Sequence, residues 1–326
     1  MVLFTSENGL PRAENLRAVW DAYGGPKRFA RGFREIADAP RRGVAVAVCD
    51  TMEPYVPDKR GMQMVFIGHG ITGGKLFAYD QPRKYLDNRA RGQFDWAVCA
   101  SGKTRPIVAQ QLGIDISRVL PLGMPRTDAL VNSRKGDGHT ILAAARRAYL
   151  YAPTFRAGYE RAPMPRIDWA RLDSMMADDE LLAVKRHYFT DKPLVDGEYR
   201  HIAELDNIMP SGPLIVDCDV LCTDFSSIVF DAYVAGKPTV IATDFAAGYL
   251  EARGMYMGYP GGYGSRAIDI QGNEAAFLGM LRAAAAQGMD AHERDIRAYV
   301  ADACDGQSAR RVAGFVSRLA GGHAVP

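Results

Sequence analysis

The sequence has no run of about 18 apolar residues, so no segment reads as a membrane-crossing helix. Its N-terminus turns polar after Phe4, too soon for the apolar region of a secretory signal. An excess of charge of one sign is also missing: 40 basic residues against 38 acidic ones leave a formal net charge of +2. That balance excludes a general nucleic-acid binder, which needs a strongly basic surface. Cysteine is scarce, and the five thiols (Cys49, Cys99, Cys218, Cys222, Cys304) are odd in number and scattered. Cys218 and Cys222 have no second pair after them, so neither a zinc ribbon nor a disulfide framework is written here. The expectation is reduced, buried thiols in the cytosol. No carboxylate cluster demands a metal, no GxxxxGK[ST] loop occurs, and there is no internal repeat or low-complexity tract.

What is present is an ordinary globular composition, 48% hydrophobic and 24% charged over 326 residues. At about 150 residues per domain this length suits two domains. Short β-rich apolar runs occupy residues 2–4, 43–49, 62–67, 94–100 and 119–122. A polar break at 132–138 holds Gly136 and Gly138 and no apolar residue. The pattern then restarts with runs at 149–151, 180–186, 219–222 and 239–242, and helical stretches at 275–288, 291–303 and 308–319. Strands alternating with helices predict βαβ units and parallel sheets. The expected fold is α/β: two Rossmann-like domains, 1–136 and 137–326, facing across a cleft, the last helix free to pack back on the first. Such sheets bind ligands at the carboxyl ends of their strands, so motifs that follow strands are the site candidates.

Five clusters meet that criterion. Gly68-His69-Gly70 follows the run at 62–67. Flanking glycines let the backbone approach a ligand, and a histidine there can take a proton near neutral pH; a turn histidine with a structural hydrogen bond is the plainer reading. Thr223-Asp224-Phe225-Ser226-Ser227 ends at an apolar segment that starts a helix. Helix-end N–H groups and serine hydroxyls suit a phosphate, although Ser, Thr and Asp also serve as helix caps. Lys185-Arg186-His187-Tyr188 forms a basic tip fitted to an anionic ligand, or a solvated strand end. Gly123-Met124-Pro125-Arg126-Thr127-Asp128 and Tyr151-Ala152-Pro153-Thr154-Phe155-Arg156 each place an arginine after a strand and a proline turn. Arginine suits bidentate phosphate contact, and a single one of this kind is otherwise a surface charge.

In this order the clusters resemble the CDP-glycerol glycerophosphotransferase family, which builds glycerol-phosphate or ribitol-phosphate chains of teichoic acids and related bacterial surface polymers. The family pattern runs W-H-G, G-Y-P-R-[NT]-D, Y-A-P-T-[WF]-R, R-x-H-P, T-D-Y-S-S, then R-G-F-Y with P-G-P. Here Arg253-Gly254-Met255-Tyr256 and Pro260-Gly261-Gly262 complete the series, and the resemblance covers residues 60–265. It implies a two-domain glycosyltransferase-B-like fold whose second domain holds the CDP portion of the donor. It makes Thr223, Ser226 and Ser227 phosphate contacts, His187 the histidine beside the pyrophosphate, and His69 the base for the acceptor hydroxyl. Arg126, Arg156 and Lys185 then meet phosphate charge, and Asp224 fixes its loop or touches the donor. The implied substrates are CDP-glycerol or another CDP-alditol and a lipid-linked or oligosaccharide acceptor. No tightly bound cofactor and no nucleic acid are implied, and a divalent ion can accompany the pyrophosphate.

Departures from the pattern bear on substrate identity: Gly68 stands for tryptophan, Tyr188 for proline, Met124 and Met255 for aromatics, and Gly262 for proline. The sequence lacks the extra N-terminal domain of the long polymerases, so the expectation is a short, primase-like enzyme. A lipid-linked acceptor implies cytoplasmic location with peripheral contact at the inner membrane face. Residues 26–42 carry six basic and two acidic residues with Phe29 and Phe33 at helical spacing, which reads as an amphipathic helix, on lipid or simply packed on the first domain. Two other functions fit the same fold: a nucleotide-sugar glycosyltransferase or epimerase, and a non-catalytic nucleotide- or polymer-binding protein.

Overall fold

The computed structural model describes residues 1–6, 9–10, 13–31, 33–52, 55–76, 91–156, 163–187, 189–190 and 192–322. The chain forms two compact units, Met1–Val131 with Ala298–Pro326, and Asn132–Arg297.

The first unit contains β1 (Val2–Thr5), α1 (Glu14–Ala22), β2 (Lys27–Ala30), α2 (Phe33–Asp38), β3 (Val46–Cys49), β4 (Gln63–Phe66), β5 (Trp96–Val98), α3 (Arg105–Leu112), β6 (Val119–Leu120) and most of α4 (Asp128–Asn132). Its six strands pair in the order β2-β1-β3-β4-β5-β6, every pair parallel. Side chains alternate across the sheet, as strand geometry requires. Leu3, Ala47, Cys49, Met64 and Ala97 face a core with Ile36, Val108 and Leu112. Val2, Phe4, Val46, Val48, Val65 and Val98 face the other core, with Leu16 and Val19 of α1. A sheet covered on both faces explains the unbroken valine-rich runs.

The second unit contains β7 (Arg147–Tyr151), α5 (Trp169–Met175), β8 (Glu180–Lys185), β9 (Ile202–Leu205), α6 (Ser211–Asp217), β10 (Val220–Thr223), α7 (Ile228–Val234), β11 (Thr239–Ala242), α8 (Ala246–Arg253), β12 (Ala267–Ile268), α9 (Glu274–Gln287) and most of α10 (Ala291–Val300). The order is β12-β11-β10-β7-β8-β9, again all parallel. Tyr149, Tyr151, Leu182, Val184, Val220, Cys222 and Val240 pack with Trp169 and Leu172 of α5 and Phe277, Leu278 and Leu281 of α9. Glu293 and Asp290 form a reciprocal capping box at the start of α10.

The observed division differs from 136/137. The polar stretch belongs with the second unit because one buried carboxylate gathers it: Asp217 accepts from the N–H groups of Gly136, Gly138 and Thr140 and from the Thr140 hydroxyl. Lys135 adds an ion pair to Asp219 at 2.7 Å. The final helix, α11 (Ser308–Ala320), lies with the first unit and buries Val312, Phe315 and Val316 in its second core, each contributing about 2 kcal/mol.

Residues 26–42 do not form the expected amphipathic helix. Lys27–Ala30 is an edge strand registered against β1, and α2 spans only six residues. Phe29 packs on the core. Lys27 donates to the carbonyls of Trp20 and Tyr23 and lies over the Trp20 ring, and Arg28 pairs with Glu35 at 3.1 Å. Pairing with β1 outweighs the helical spacing of the phenylalanines; the Phe33 and Arg34 side chains are outside the described residues. Among the described residues no helix is long and apolar enough to cross a membrane.

Candidate active site

In the second unit, β10, β7 and β8 are neighbours in the sheet. Their carboxyl ends therefore deliver residues 223–227, 152–156 and 185–187 side by side. The first two loops are locked together. The Asp224 carboxylate, 2% exposed, accepts from Thr154 N–H at 3.1 Å, from the Thr154 hydroxyl at 2.6 Å and from Arg156 Nη2 at 2.8 Å. Arg156 also donates to the Thr154 carbonyl at 2.6 Å and lies 4.7 Å over the Phe225 ring. Phe225 stacks on Tyr249 at 3.7 Å. A buried carboxylate with several donors and a matched guanidinium is a closed arrangement. Arg156 is thus engaged inside the protein rather than standing as a free phosphate-neutralising cation. Thr223 departs similarly from the expected phosphate contact: it is fully buried and its hydroxyl donates to the Ala152 carbonyl at 2.7 Å.

Ser226 and Ser227 are half-buried. Ser226 Oγ accepts weakly from Ile228 N–H at 3.4 Å, and Ser227, at the cap position of α7, makes no side-chain cap bond. Neither hydroxyl is used up by a strong cap.

His187 sits in an aromatic cluster. Its ring centroid is 4.7 Å from that of Phe155 and 5.4 Å from that of Phe189, which is 57% exposed. The Phe189 N–H donates to His187 Nδ1 at 3.3 Å. An Nδ1 that accepts assigns the proton of the neutral ring to Nε2. Lys185 reaches the Arg186 carbonyl at 3.4 Å. Arg186 Nε lies 2.5 Å from Glu204 Oε1, and Glu204 also accepts from the N–H groups of Leu194 and Val195, bracing the loop after β8. Tyr188 and the Arg253 side chain lie outside the described residues.

The glycine at 262 has a local cause. Gly262 N–H donates to the Gly258 carbonyl, which a proline cannot do. A Cβ there would also stand 2.6 Å from Met257 Cβ.

In the first unit, His69 is exposed at the carboxyl end of β4, after Gly68 with φ +64°. The Gly123–Asp128 motif follows β6 and is joined to α11. Gly123 has φ +86°, and a Cβ would collide with Ser308 Oγ and the Ala303 carbonyl. Asp128 accepts from the N–H groups of Ser308 and Ala309 at 2.9 and 2.7 Å, capping α11 with a carboxylate at its positive end. Arg126 pairs with Glu14 at 3.5 Å. Its backbone N–H donates to Asn15 Oδ1 at 2.9 Å, and Asn15 Nδ2 donates to the Gly68 carbonyl at 3.0 Å. Glu14 and Asn15 belong to no sequence motif, and nothing in their local pattern marks them.

All five cysteines are free and buried. Burial pushes the Cys99 and Cys218 thiols up to about 12, far from a nucleophilic thiolate. Among the described residues no group of three His, Cys, Asp or Glu side chains is placed to hold a metal. A cavity of about 440 Å³ lined by Gln63, Asp95 and Arg118 lies at the amino ends of β4 and β5, the edge opposite the motif loops.

The chain is similar to several known proteins. The teichoic acid ribitol-phosphate polymerase TarL of Staphylococcus aureus is 22% identical over 62% of this chain and 39% of that protein. A teichoic acid poly(glycerol phosphate) polymerase of Staphylococcus epidermidis is 27% identical over 53% of this chain and 26% of its own length. The chain thus spans well under half of these relatives. The solved structure of the wall teichoic acid polymerase TagF superimposes with a TM-score of 0.79, 19% identity and coverage of 99% of this chain and 89% of that one, which establishes a shared fold. The profile of CDP-Glycerol:Poly(glycerophosphate) glycerophosphotransferase matches residues 33–318. With most of its length matched in this way, the chain belongs to the CDP-glycerol:poly(glycerophosphate) glycerophosphotransferase family.

Proposed function

We propose that this protein transfers glycerol phosphate, or a similar alditol phosphate, from a CDP-linked donor to a hydroxyl of a lipid-linked saccharide acceptor and releases CMP. The supporting observation is the trio of loops after β10, β7 and β8, where His187 with its Nε2 proton and the lightly engaged Ser226 and Ser227 share one sheet edge. That edge suits a pyrophosphate, with the Asp224–Arg156 pair holding the floor rigid. Lys185 adds positive charge at the end of β8.

In this reading the acceptor oxygen attacks the β-phosphorus of the donor. The new P–O bond forms as the bond to the CMP oxygen breaks, and His69 takes the hydroxyl proton. The Nε2–H of His187 and the serine hydroxyls stabilise charge on the transferring and leaving phosphates. Phosphoryl transfer asks for positioning and charge stabilisation more than covalent chemistry. Arg126, held by Glu14 and Asn15, is the first-unit cation assigned to phosphate charge. The reaction belongs to bacterial surface-polymer synthesis at the cytoplasmic face of the membrane.

The test is CMP release from CDP-glycerol and CDP-ribitol, with UDP-glucose and UDP-N-acetylglucosamine alongside, each with and without a lipid-disaccharide acceptor. Acceptor-dependent CMP supports the proposal and names the donor. UDP release, or turnover unchanged in His69→Ala, overturns the reaction or the base.

A further inference from the structure

Asn15 is the second residue of α1, 2% exposed, and every hydrogen-bonding group of its amide is used. Nδ2 donates to the Gly68 carbonyl at 3.0 Å and to Met124 Sδ at 2.8 Å, and Oδ1 accepts from Arg126 N–H at 2.9 Å. The orientation of the amide is fixed by these partners, because the flipped group would face carbonyl to carbonyl and N–H to N–H. The two loops it joins follow β4 and β6, which are not neighbours: β5 stands between them. We propose that Asn15 is a positioning residue that sets the His69 and Arg126 loops relative to one another.

The physical need is plain. The Gly68 carbonyl belongs to the planar peptide that carries the His69 nitrogen. Gly68 has φ +64° and no side chain to hold it, and His69 itself is exposed. A bond to that carbonyl limits glycine's freedom at the peptide from which His69 extends. Asn15 supplies the bond from a rigid base, since the adjacent Leu16, and Val19 on the same helix, are fully buried against the sheet. The same side chain fixes the Arg126 backbone, and its neighbour Glu14 pairs with the Arg126 guanidinium. Backbone and head group of one motif residue, and the peptide beside another, are thus held by consecutive residues of one helix. A site loosened by about 1 Å loses on the order of 100-fold in rate.

The inference rests on the phosphotransfer reading, and the experiment separates the two. CMP release is measured for wild type, Asn15→Ala and the isosteric Asn15→Asp, with thermal melts and imidazole NMR signals of all three. Asn15→Asp keeps the acceptor for Arg126 N–H and loses the Nδ2 donations to the Gly68 carbonyl and Met124 Sδ, so it breaks the His69 tie while the Arg126 backbone bond remains; Asn15→Ser serves if a buried carboxylate prevents folding. The expected result is a fall in kcat of about 10- to 100-fold with donor KM within about twofold, in protein that still melts cooperatively. His69 signals shift while those of His201 and His292 stay in place. Turnover within about twofold of wild type and unmoved His69 signals overturn the role of Asn15. Wild type that turns over no donor overturns the phosphotransfer reading instead, and the NMR signals then decide the Asn15 tie by themselves.

Discussion

Arg156 Nη2 lies 2.8 Å from Asp224 Oδ2, and the two residues come from different motifs at the ends of adjacent strands. Only 11% of the arginine side chain and 2% of the aspartate side chain are exposed. The pair therefore behaves as a buried ion pair, in which loss of one partner strands the other. Arg156→Met and Asp224→Asn are each expected to destabilise the second unit by about 3–5 kcal/mol. The double variant costs clearly less than the sum, because no lone charge remains. Urea unfolding of the four proteins in the cycle measures this. Additive effects would mean that the pair is not coupled, and a loss of turnover in Arg156→Met at unchanged stability would return Arg156 to the role of phosphate ligand.

Glu180 gives the fold an acid limit. Burial pushes its carboxyl upward, but donors from Arg282, Ala177 N–H and the Tyr149 hydroxyl prevail and hold it at about 2. The ordinary value is 4.5, so the folded carboxyl is depressed. Its stabilisation is fully present above pH 4.5 and is lost as pH falls toward 2. The shift corresponds to roughly 3 kcal/mol at most. Glu180→Gln is expected to be less stable than wild type at pH 7 and to lose less on acidification over that window. Parallel stability curves for the two proteins between pH 5 and pH 2 would refute the assignment.

Much of this fold was legible because both sheets are covered on both faces. Residues 46–49 and 239–242 are apolar at nearly every position, and flanking turn residues mark their ends. Edge strands leave weaker traces. Lys27–Ala30 has two cations in four residues and took its structure from β1, and the two-residue β12 has no pattern to read. The candidate site divides the same way. Motifs disclosed which residues gather at the strand ends, but not which of them face inward. Thr223 and Arg156 carry the chemistry of phosphate ligands and spend it on Ala152 and Asp224, partners some 70 residues distant in the chain. Asn15 escaped notice because an asparagine at a helix start looks like any other, and its partners lie 53 and 111 residues away.

The tautomer of His187 leads to the last prediction. Its Nδ1 is occupied by Phe189 N–H, leaving Nε2–H as the donor, and Phe155 and Phe189 restrain the ring plane. A group that stabilises charge by donating one hydrogen bond can be partly replaced by another donor. His187→Gln keeps an N–H near the Nε2 position, whereas His187→Ala removes it. CMP release is expected to fall by about 100-fold or more in His187→Ala and by clearly less in His187→Gln. A general base shows the opposite pattern, because a glutamine amide cannot take a proton. His69→Gln is accordingly expected to be as inactive as His69→Ala, both down by at least about 100-fold. Measuring kcat for these four variants on one CDP-linked donor separates the two roles. Equal losses for His187→Gln and His187→Ala would make His187 a proton-transfer group, and recovery of rate in His69→Gln would remove His69 from the base position.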